Sequence, residues 1–487
     1  MKQARTGGFY AMLLLVMAVL VGRLVMLQVV DRDYYRVLAD ENRVTLEVIR
    51  ADRGLLYDRH GEVLVRNMPE GRDYIYGEAM SHVLGYVAEA SEAELEEYSM
   101  GDMVGKMGIE KEYDERLRGE DGGVVVEQDA DGEVLREIGR REPRAGESLE
   151  LSLDLGLQRK AYEVMAERRG ALIVSQPETG EILALVSSPG FDPDEIEKFL
   201  EDKDLPLFNR AIGGEYPPGS TFKLVTAVGA LEEGKIDETT EIEDTGEIKI
   251  GPYRFGNWYY DQYGRKEGML NVVRGMARSN DIFFYKLGEG LGITALADWA
   301  RYFGLGSATE IDLPGEANGL MPSPEWKEEF KGEQWFLGDT YITAIGQGDI
   351  LMTPLQVNQM MSLLANGGKW CRPQILKAEA EDCQKLDISA KTLELVTEGL
   401  RQVCEAGGTA WPFFEFKVKG ERVYIAGKTG TAEFGDPEER THAWFSGFAP
   451  IEEPQIVVTV LLEAAGEGSD QAAPVVKDLL SYWFSRQ

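Results

Sequence analysis

The sequence predicts an α+β protein, in which strands from both ends of a large C-terminal region complete one antiparallel sheet around a helical lobe. Apolar, strand-like runs at 171–188 and again at 422–462 flank a long stretch with helical patterning. A separate apolar segment at 9–30 places this region behind a membrane anchor. Between them, short strand-like pieces alternate with acidic, glycine-containing turns, which predicts a small membrane-proximal domain.

The N-terminal segment Phe9–Val30, FYAMLLLVMAVLVGRLVMLQVV, contains only two strongly polar residues. About 20 apolar residues are enough to span a bilayer. A cleaved signal peptide is the alternative, but it requires a small-residue cleavage site, and LQVVDRDYY offers none. Lys2 and Arg5 precede the span, so the positive-inside rule keeps residues 1–8 in the cytoplasm. We therefore predict a single-pass cell-membrane protein whose chain lies outside the cytoplasm from about Asp31 onward.

The net charge and the numbers of cysteine and histidine argue against several classes of function. The formal net charge is -34, and a surface of that sign repels nucleic acid. The three cysteines are Cys371, Cys383 and Cys404. This odd number, without a Cys-x-x-Cys pair, predicts neither a disulfide framework nor a zinc cluster. Only three histidines are present, which leaves few candidates for a Ser-His-Asp triad. An extracytoplasmic location also argues against ATP, and we predict no cofactor.

The large region begins at Leu149. The stretch LSLDLGLQRKAYEVMAERRG predicts a strand and then a helix that is capped near Asp154 and stops at Gly170. ALIVSQPETGEILALVSSP predicts a hairpin, because two apolar runs are joined by a turn sequence. RVYIAGKTGTAE, HAWFSGFAP and QIVVTVLLEA predict successive strands, and AAPVVKDLLSYWFSRQ predicts a closing helix.

One serine and one lysine lie a turn apart in GGEYPPGSTFKLVTA. Pro217, Pro218 and Gly219 indicate a loop, so the predicted helix starts at Ser220 and ends at Gly234, with Lys223 on the same face as the serine. A lysine whose pKa is lowered by burial can take the proton of a serine nucleophile. The alternative is that Ser220 only caps the helix and Lys223 is a solvated charge.

Two further motifs favour the catalytic interpretation. Ser279-Asn280-Asp281 stands just before an apolar helical run, and Lys428-Thr429-Gly430 lies on a predicted strand. A second Ser-x-Asp, at 152–154, is explained by helix capping. Ser-x-x-Lys, a Ser-x-Asp or Ser-x-Asn element and Lys-Thr-Gly, in this order, are the motif set of penicillin-interacting serine enzymes.

The chain resembles the class B penicillin-binding proteins, the monofunctional D,D-transpeptidases that cross-link peptidoglycan. GRLVMLQVVDRDYYRVLADENRV, RADRGLLYDRHGEVLVRN, HVLGYV and GKMGIEKEYDERLRG are similar to the family's membrane-proximal and pedestal blocks. QPETGEILALVSSPGFDP, FNRAIGGEYPPGSTFK, AIGQGDILMTPLQ and GKTGTAEF with HAWFSGFAP resemble blocks of its catalytic domain. Ser-x-Asp in place of the commoner Ser-x-Asn resembles the elongation-type branch, which serves cell shape.

The resemblance implies four parts: a cytoplasmic tail at 1–8, an anchor at 9–30, a pedestal (dimerisation-type) domain at 31–148 and a penicillin-binding/serine β-lactamase-like transpeptidase domain at 149–487. It implies that Ser220 attacks the carbonyl between two terminal D-alanines, that Lys223 accepts the serine proton, and that Ser279 relays a proton to the leaving amine. Asp281 would position Ser279 or Lys223. An amine of a second stem peptide would then resolve the acyl-enzyme, with D,D-carboxypeptidase side activity when water does so.

The resemblance also assigns the substrate-binding residues. Lys428 and Thr429 would hold the terminal carboxylate, and the backbone amides of Ser220 and Thr431 would form the oxyanion hole. Asn280 and Gly430 would complete the binding surface, with Gly430 letting the strand approach the ligand closely. The expected partners are peptidoglycan stem peptides, β-lactams, the membrane and a SEDS-type glycosyltransferase.

Two departures from the family and three alternatives accompany these expectations. Residues 68–81 replace a much longer pedestal segment, and NWYYDQYGRKEGMLN lacks the His and Cys of the zinc site that some elongation-type members carry, so we predict no metal.

A β-lactamase of the same fold is one alternative, although the anchor and pedestal blocks argue against it. A β-lactam sensor would need cytoplasmic signalling machinery. A membrane-anchored scaffold that activates a SEDS glycosyltransferase with little catalysis is the alternative from another class.

Overall fold

The computed structural model describes residues 2–41, 43–69, 71–129, 133–166, 168–377 and 382–486, without the side chains of 2–6 and 38–41. They form two compact units: residues 1–54 with 115–147, and residues 55–114 with 148–487. Each predicted motif of the site lies in the larger unit. The predicted pedestal, 31–148, is not one compact unit, because residues 55–114 pack with the large C-terminal region.

The smaller unit contains the predicted anchor. An α-helix at Lys2–Val25 continues as a π-helical turn at Met26–Val30, and a second helix follows at Arg32–Glu41. The segment Gly7–Val30 is long and apolar enough to cross a membrane, and nearly all of its side chains are exposed. The rest of this unit is an antiparallel sheet in which the strand Gly122–Gln128 lies between Val44–Ile49 and Val134–Arg141. The short helix Asp114–Arg118 lies at the boundary of the two units.

The larger unit begins with a small sheet and short helices. The sheet has four strands, in the order Gly71–Tyr74, Val63–Met68, Leu56–Tyr57 and Leu149–Glu150. Next to these in the chain are the helices Ser81–Leu84 and Gly108–Glu112 and the strand pair Val87–Glu89 and Met103–Gly105.

A five-stranded antiparallel sheet forms the centre of the larger unit, as the sequence predicts. Its strands are β1 (Gly170–Ser175), β2 (Ile182–Ser188), β3 (Ala426–Glu433), β4 (Thr441–Ala449) and β5 (Ile456–Leu462), in the order β2-β1-β5-β4-β3. Successive residues of β5 face opposite sides: Val458 packs with the helices Leu155–Met165 and Ala472–Ser485, and Val457 packs with the helical lobe. Because both faces are covered, β1, β2 and β5 are apolar almost throughout, whereas the edge strand β3 carries Lys428 and two threonines.

The helical lobe lies between β2 and β3 in the chain. Its helices are Lys223–Glu232, Trp258–Tyr263, Val272–Arg278, Asp281–Tyr302, Pro324–Lys331, Leu337–Ala344, Pro354–Ala365 and Ala390–Val403. Short strand pairs join Ile242–Asp244 to Gly268–Leu270, Glu247–Ile250 to Tyr253–Gly256, Lys369–Cys371 to Cys383–Lys385, and Lys417–Val418 to Glu421–Arg422. The lobe and the lobe-facing side of the sheet share one apolar core.

Three sequence predictions need correction. The helix capped by Asp154 ends at Met165, because the chain turns back before β1 starts at Gly170. The α-helix of the first motif begins at Lys223, and Ser220 lies on the 3₁₀ turn Gly219–Thr221 that precedes it. The cysteines were wrongly predicted to form no disulfide.

Cys371 and Cys383 form a disulfide because they lie opposite each other on two paired strands. The odd number of cysteines hid this pair, since the third, Cys404, is a buried free thiol. Burial raises the pKa of the Cys404 thiol, so it behaves as a small apolar side chain.

Candidate active site

The turn that carries Ser220 is held rigidly against a neighbouring loop. The Gly219 amide donates to the carbonyl oxygen of Gly346 at 2.8 Å, and Thr221 Oγ1 donates to the carbonyl oxygen of Pro218 at 2.8 Å. Gly346 has φ +76°, and a Cβ there would collide with the Gly219 carbonyl. This packing points Ser220 into a cleft of about 2220 Å³. In the described part of the chain, Ser220 Oγ has no hydrogen bond, so the hydroxyl is free for an incoming group.

Lys223 is completely buried directly behind the serine turn. Its Nζ donates to Asp281 Oδ1 at 2.6 Å, to the Ser279 carbonyl oxygen at 2.8 Å and to Ser279 Oγ at 3.2 Å. Burial lowers the pKa of Lys223, and the Asp281 carboxylate opposes this shift only in part. The neutral amine is therefore available at a lower pH than in an exposed lysine.

Ser279 lies on a sharp turn between two helices. It adopts a left-handed conformation, with φ 52° and ψ 37°, where the helix Val272–Arg278 ends. Asn280 then starts the next helix: its Oδ1 accepts from the Phe283 amide at 2.9 Å, and its Nδ2 donates to Glu267 at 3.1 Å. Asn280 is completely buried and is not among the residues that line the cleft, and its contact with substrate stays a prediction. Its side chain supports the turn.

Lys428, on the edge strand β3, reaches the same serine from the opposite side. Its Nζ donates to Ser279 Oγ at 2.8 Å and to the Thr429 carbonyl oxygen at 3.0 Å, and its side chain is completely buried. Burial, and next the positive charge of Lys223, lower the pKa of Lys428 well below its ordinary value. The Ser279 hydroxyl thus lies between two amines that disfavour each other's protonation. Lys428 itself does not line the cleft, and a substrate carboxylate in the cleft would meet Thr429 first.

Thr429 and Thr431 line the cleft from β3. Thr429 Oγ1 lies 2.8 Å from Thr409 Oγ1, and the Thr431 carbonyl oxygen accepts from Gln347 Nε2 at 3.3 Å. Neither Thr409 nor Gln347 was predicted, because each stands outside the three motifs and reaches the site only through folding. The GGT sequence before Ala410 was the one local hint of a tight loop.

Gly430 is closely packed against the loop that carries Ser220. A Cβ at this position would lie 3.0 Å from Trp444 Cβ and 3.2 Å from the Pro218 carbonyl oxygen. The protein itself therefore makes a close approach at this glycine, and the approach of a ligand stays a prediction. Gly430 fixes the spacing between β3 and the nucleophile.

The cleft walls combine aromatic and acidic side chains. Aromatic residues of the lining include Tyr253, Trp258, Tyr263, Trp411 and Phe434. Acidic residues of the lining include Asp261, Glu433, Glu467 and Asp470. Within the described ranges, no group of three or more His, Cys, Asp and Glu residues has a geometry that could hold a metal ion. A cleft of this size is large enough for an extended peptide.

Family models and curated proteins match the chain along most of its length. Residues 170–481 match the penicillin-binding protein transpeptidase domain, and residues 69–151 match the penicillin-binding protein dimerisation domain. The chain is 35% identical over 456 residues to the peptidoglycan D,D-transpeptidase MrdA of Acinetobacter baumannii, covering 85% of this chain and 66% of that protein. It is 30% identical to MrdA of Haemophilus influenzae, covering 98% of this chain and 90% of that protein.

Solved structures show the same relationship. A crystal structure of Pseudomonas aeruginosa PBP2 in complex with WCK 5153 has a TM-score of 0.80 and 34% identity, covering 90% of this chain and 96% of that chain. A structure described as the structural coordination of polymerization and crosslinking by a peptidoglycan synthase complex has a TM-score of 0.80 and 30% identity, covering 99% of this chain and 98% of that one. With Ser220, Lys223, Ser279, Asp281 and Lys428 assembled at one cleft, the chain belongs to the class B penicillin-binding proteins of the elongation type, the peptidoglycan D,D-transpeptidases.

Proposed function

We propose that this protein cross-links peptidoglycan through an acyl-enzyme on Ser220, with Lys223 as general base and Ser279 as proton relay. The observation that carries these roles is the position of Ser279 Oγ, 3.2 Å from Lys223 Nζ and 2.8 Å from Lys428 Nζ. One hydroxyl between two buried amines can accept a proton from one and donate to the other. Such a relay suits a reaction that takes a proton from a nucleophile and returns it to a leaving amine.

Acylation begins when neutral Lys223 takes the proton of Ser220 Oγ. The oxygen then bonds to the carbonyl carbon between the two terminal D-alanines of a stem peptide. The backbone amides of Ser220 and Thr431 are the proposed donors to the oxyanion, where each donor contributes about 3–4 kcal/mol to the transition state. Ser279 passes a proton to the departing D-alanine nitrogen and takes one back from protonated Lys223, the carbon–nitrogen bond breaks, and an ester on Ser220 remains beside a neutral Lys223.

Substrate binding and deacylation use the cleft. Thr429 offers a hydroxyl to the terminal carboxylate of the donor, and the positive charge of Lys428 behind it adds long-range attraction when that amine is protonated. The amine of a second stem peptide then attacks the ester carbon and gives up its proton to Lys223. The bond from that carbon to Ser220 Oγ breaks, the proton passes from Lys223 to the serine oxygen, and the new amide is the cross-link. Water in the acceptor's place gives the D,D-carboxypeptidase side reaction.

The catalytic unit is proposed to lie outside the cytoplasm. Within the described residues, one helix, Gly7–Val30, is long and apolar enough to cross a membrane, and Lys2 and Arg5 before it favour a cytoplasmic start. The disulfide between Cys371 and Cys383 supports this topology independently, because such bonds persist in oxidising compartments. Treating intact spheroplasts with protease should therefore degrade the catalytic unit, whereas survival until the membrane is lysed would contradict this topology.

The similarity to a subunit of a peptidoglycan synthase complex over 99% of this chain supports a partner in the membrane. A SEDS-type glycosyltransferase would polymerise the glycan strands that this protein cross-links. A role as a pure scaffold is disfavoured, because the serine and both lysines are retained and assembled.

Gel labelling of membranes with a fluorescent penicillin tests the assignment of Ser220. Ser220→Ala should abolish labelling and leave the protein folded, because the change removes one oxygen that has no hydrogen-bond partner within the described residues. Ser469→Ala is the matched control, since this serine lines the same cleft and should label normally. Labelling that survives Ser220→Ala would remove Ser220 from its role.

A further inference from the structure

Two hydrogen bonds from one loop fix the position of Asp281, beside the proposed base. Asn257 Oδ1 accepts from the Asp281 amide at 3.1 Å, and the Trp258 amide donates to Asp281 Oδ2 at 3.1 Å. The other carboxylate oxygen, Oδ1, is therefore left to face Lys223 Nζ at 2.6 Å. The loop determines which oxygen meets the lysine and from which direction.

A buried carboxylate in turn orients Asn257. Asn257 is completely buried, and its Nδ2 donates to Asp244 Oδ2 at 3.2 Å. Asp244 is also buried and accepts from the amides of Gly246 at 2.8 Å and Glu267 at 2.9 Å. Because this carboxylate is an acceptor for three donors, Asn257 must turn its amino group toward Asp244 and its carbonyl toward Asp281. Asp244 thus determines which end of the Asn257 side-chain amide faces Asp281.

The same loop holds the other side of the turn. Glu267 accepts hydrogen bonds from Arg278 and from Asn280 Nδ2. These residues flank Ser279, whose left-handed conformation is unfavourable for a non-glycine residue unless its surroundings enforce it. The segment 244–267 therefore forms hydrogen bonds with both ends of the turn 278–281.

We propose that Asp244 and Asn257 are positioning residues for acyl transfer, which hold Asp281 so that its Oδ1 stays on Lys223 Nζ. This inference rests on the proposed role of Lys223 as the base. The simpler alternative is that both residues only satisfy buried backbone groups. That alternative predicts a loss of stability without a change in how Lys223 titrates.

If Asp281 lost its position, the pKa of Lys223 would change in one definite direction. The groups that face its Nζ are Asp281, Ser279, the cation of Lys428 reached through Ser279, and the ring of Phe284 at 5.4 Å. Among these, the Asp281 carboxylate raises the pKa of Lys223 against the effect of burial. When Asp281 is no longer held in place, the pKa of Lys223 falls further and its Nζ loses a fixed orientation.

The test uses the full-length protein in detergent and a fluorescent penicillin, with acylation rates measured over a range of drug concentration and pH. For Asn257→Ala we expect the maximal acylation rate to fall about tenfold, the factor expected when one oriented hydrogen bond is lost at the reacting centre. The half-saturating drug concentration should stay within about twofold, because the cleft surface is unchanged. The acidic limb of the pH–rate profile should move to lower pH.

Asp244→Asn is the second variant, because it keeps the size of the side chain and removes the all-acceptor polarity. It should reproduce the shift of the pH profile even if Asn257→Ala folds poorly. The matched control is Asn366→Ala, which removes a buried amide that also joins two separate groups, the Pro177 carbonyl at 2.7 Å and the Lys369 amide at 2.8 Å. It should lower the melting temperature and leave the pH profile in place.

Unchanged rates and pH profiles in both variants, with a wild type that acylates normally, would overturn the positioning role alone. A shift of the same size in Asn366→Ala would also overturn it, since the effect would then follow general destabilisation. A wild-type protein that forms no adduct at any pH would overturn the proposed function itself, and the inference with it.

Discussion

Lys223 can take a proton from Ser220 only in its neutral form, and its completely buried position favours that form. Lys223→Arg should therefore abolish labelling by penicillin although the charge is kept, because a guanidinium stays protonated under ordinary conditions. The control is Lys327→Arg, since Lys327 is a nearly buried lysine in the same cleft that is ion-paired with Asp339. Normal acylation of Lys223→Arg would show that another group accepts the proton.

The acylation rate should depend on pH in a predictable direction. Burial lowers the pKa of Lys223 below its ordinary value of 10.5, so the neutral amine accumulates as the pH rises toward that value. The rate should rise with pH and level off before pH 10.5, with apparent pKa values that belong to Lys223 and Lys428 together.

The free energy of unfolding should also rise with pH, between the lowered pKa of the buried lysines and pH 10.5. The unfolded chain binds more protons than the folded one between the lowered pKa and 10.5, so the free energy of unfolding gains from these lysines as the pH rises. Stopped-flow labelling and thermal melts across this range measure both effects. An acylation rate that falls as the pH rises toward 10.5 would contradict the role of a buried amine base.

Which residues the sequence could identify depended on whether their chemistry is local. Ser220, Lys223 and Lys428 stand in short motifs, so spacing alone located them. Asn280 belongs to the same motif, but the left-handed turn at Ser279 sends its side chain into the interior, and no spacing rule encodes that direction. Asn257 was missed for the opposite reason, since only folding brings it to the site.

At the scale of elements, the close packing of the Gly346 loop against the serine turn has its own prediction. Gly346→Ala combines a left-handed backbone with a collision against the Gly219 carbonyl, so it should displace Ser220 and strongly reduce both stability and acylation. Gly315→Ala isolates the backbone cost, because Gly315 has φ +88° and nothing lies within 4 Å of an added Cβ. Thermal melts and fluorescent penicillin labelling of the two variants should separate the backbone cost from the cost of the collision. Equal effects of Gly346→Ala and Gly315→Ala would show that the collision with the Gly219 carbonyl contributes nothing.

The strands of the central sheet were predictable because their apolar runs are short, dense and separated by turn residues. The hairpin β1–β2 and the strands β3 to β5 follow that pattern. The start of the helix at Lys223 could not be predicted, because a 3₁₀ turn and an α-helix share the same local sequence preferences. The disulfide also escaped prediction, since the pairing of the strands that carry Cys371 and Cys383 is a property of the folded loop.

At the scale of the whole molecule, the membrane segment is expected to contribute to partner binding as well as to anchoring. Replacing Phe9–Val30 with an unrelated apolar helix of the same length should keep the protein in the membrane and disrupt its co-purification with a SEDS-type glycosyltransferase. Penicillin labelling should persist, because the cleft lies in the larger compact unit. An unchanged complex would place the partner contacts elsewhere in the chain.

Domain organisation was predictable only in part. The anchor is read directly from composition, and the catalytic region from its motifs. The boundary between pedestal and catalytic region at 148/149 stays a prediction, and the compact units divide the chain elsewhere, because residues 55–114 belong to the larger unit. Such packing depends on contacts between distant segments, which patterning along the chain does not report.

The central claim, a cross-linking acyl-enzyme on Ser220, also predicts slow hydrolysis of the penicillin adduct. A β-lactamase needs a base that aims water at the ester, whereas Asp281 here is committed to Lys223 and Glu267 to Arg278. The leaving group of penicillin stays tethered and blocks the acceptor's approach.

The most direct measurement is intact-mass spectrometry of the full-length protein after brief exposure to penicillin and removal of the excess drug. The account predicts a persistent increase of one penicillin mass, located on the peptide that contains Ser220. Loss of the adduct within seconds, with steady turnover of the drug, would contradict it and identify a β-lactamase.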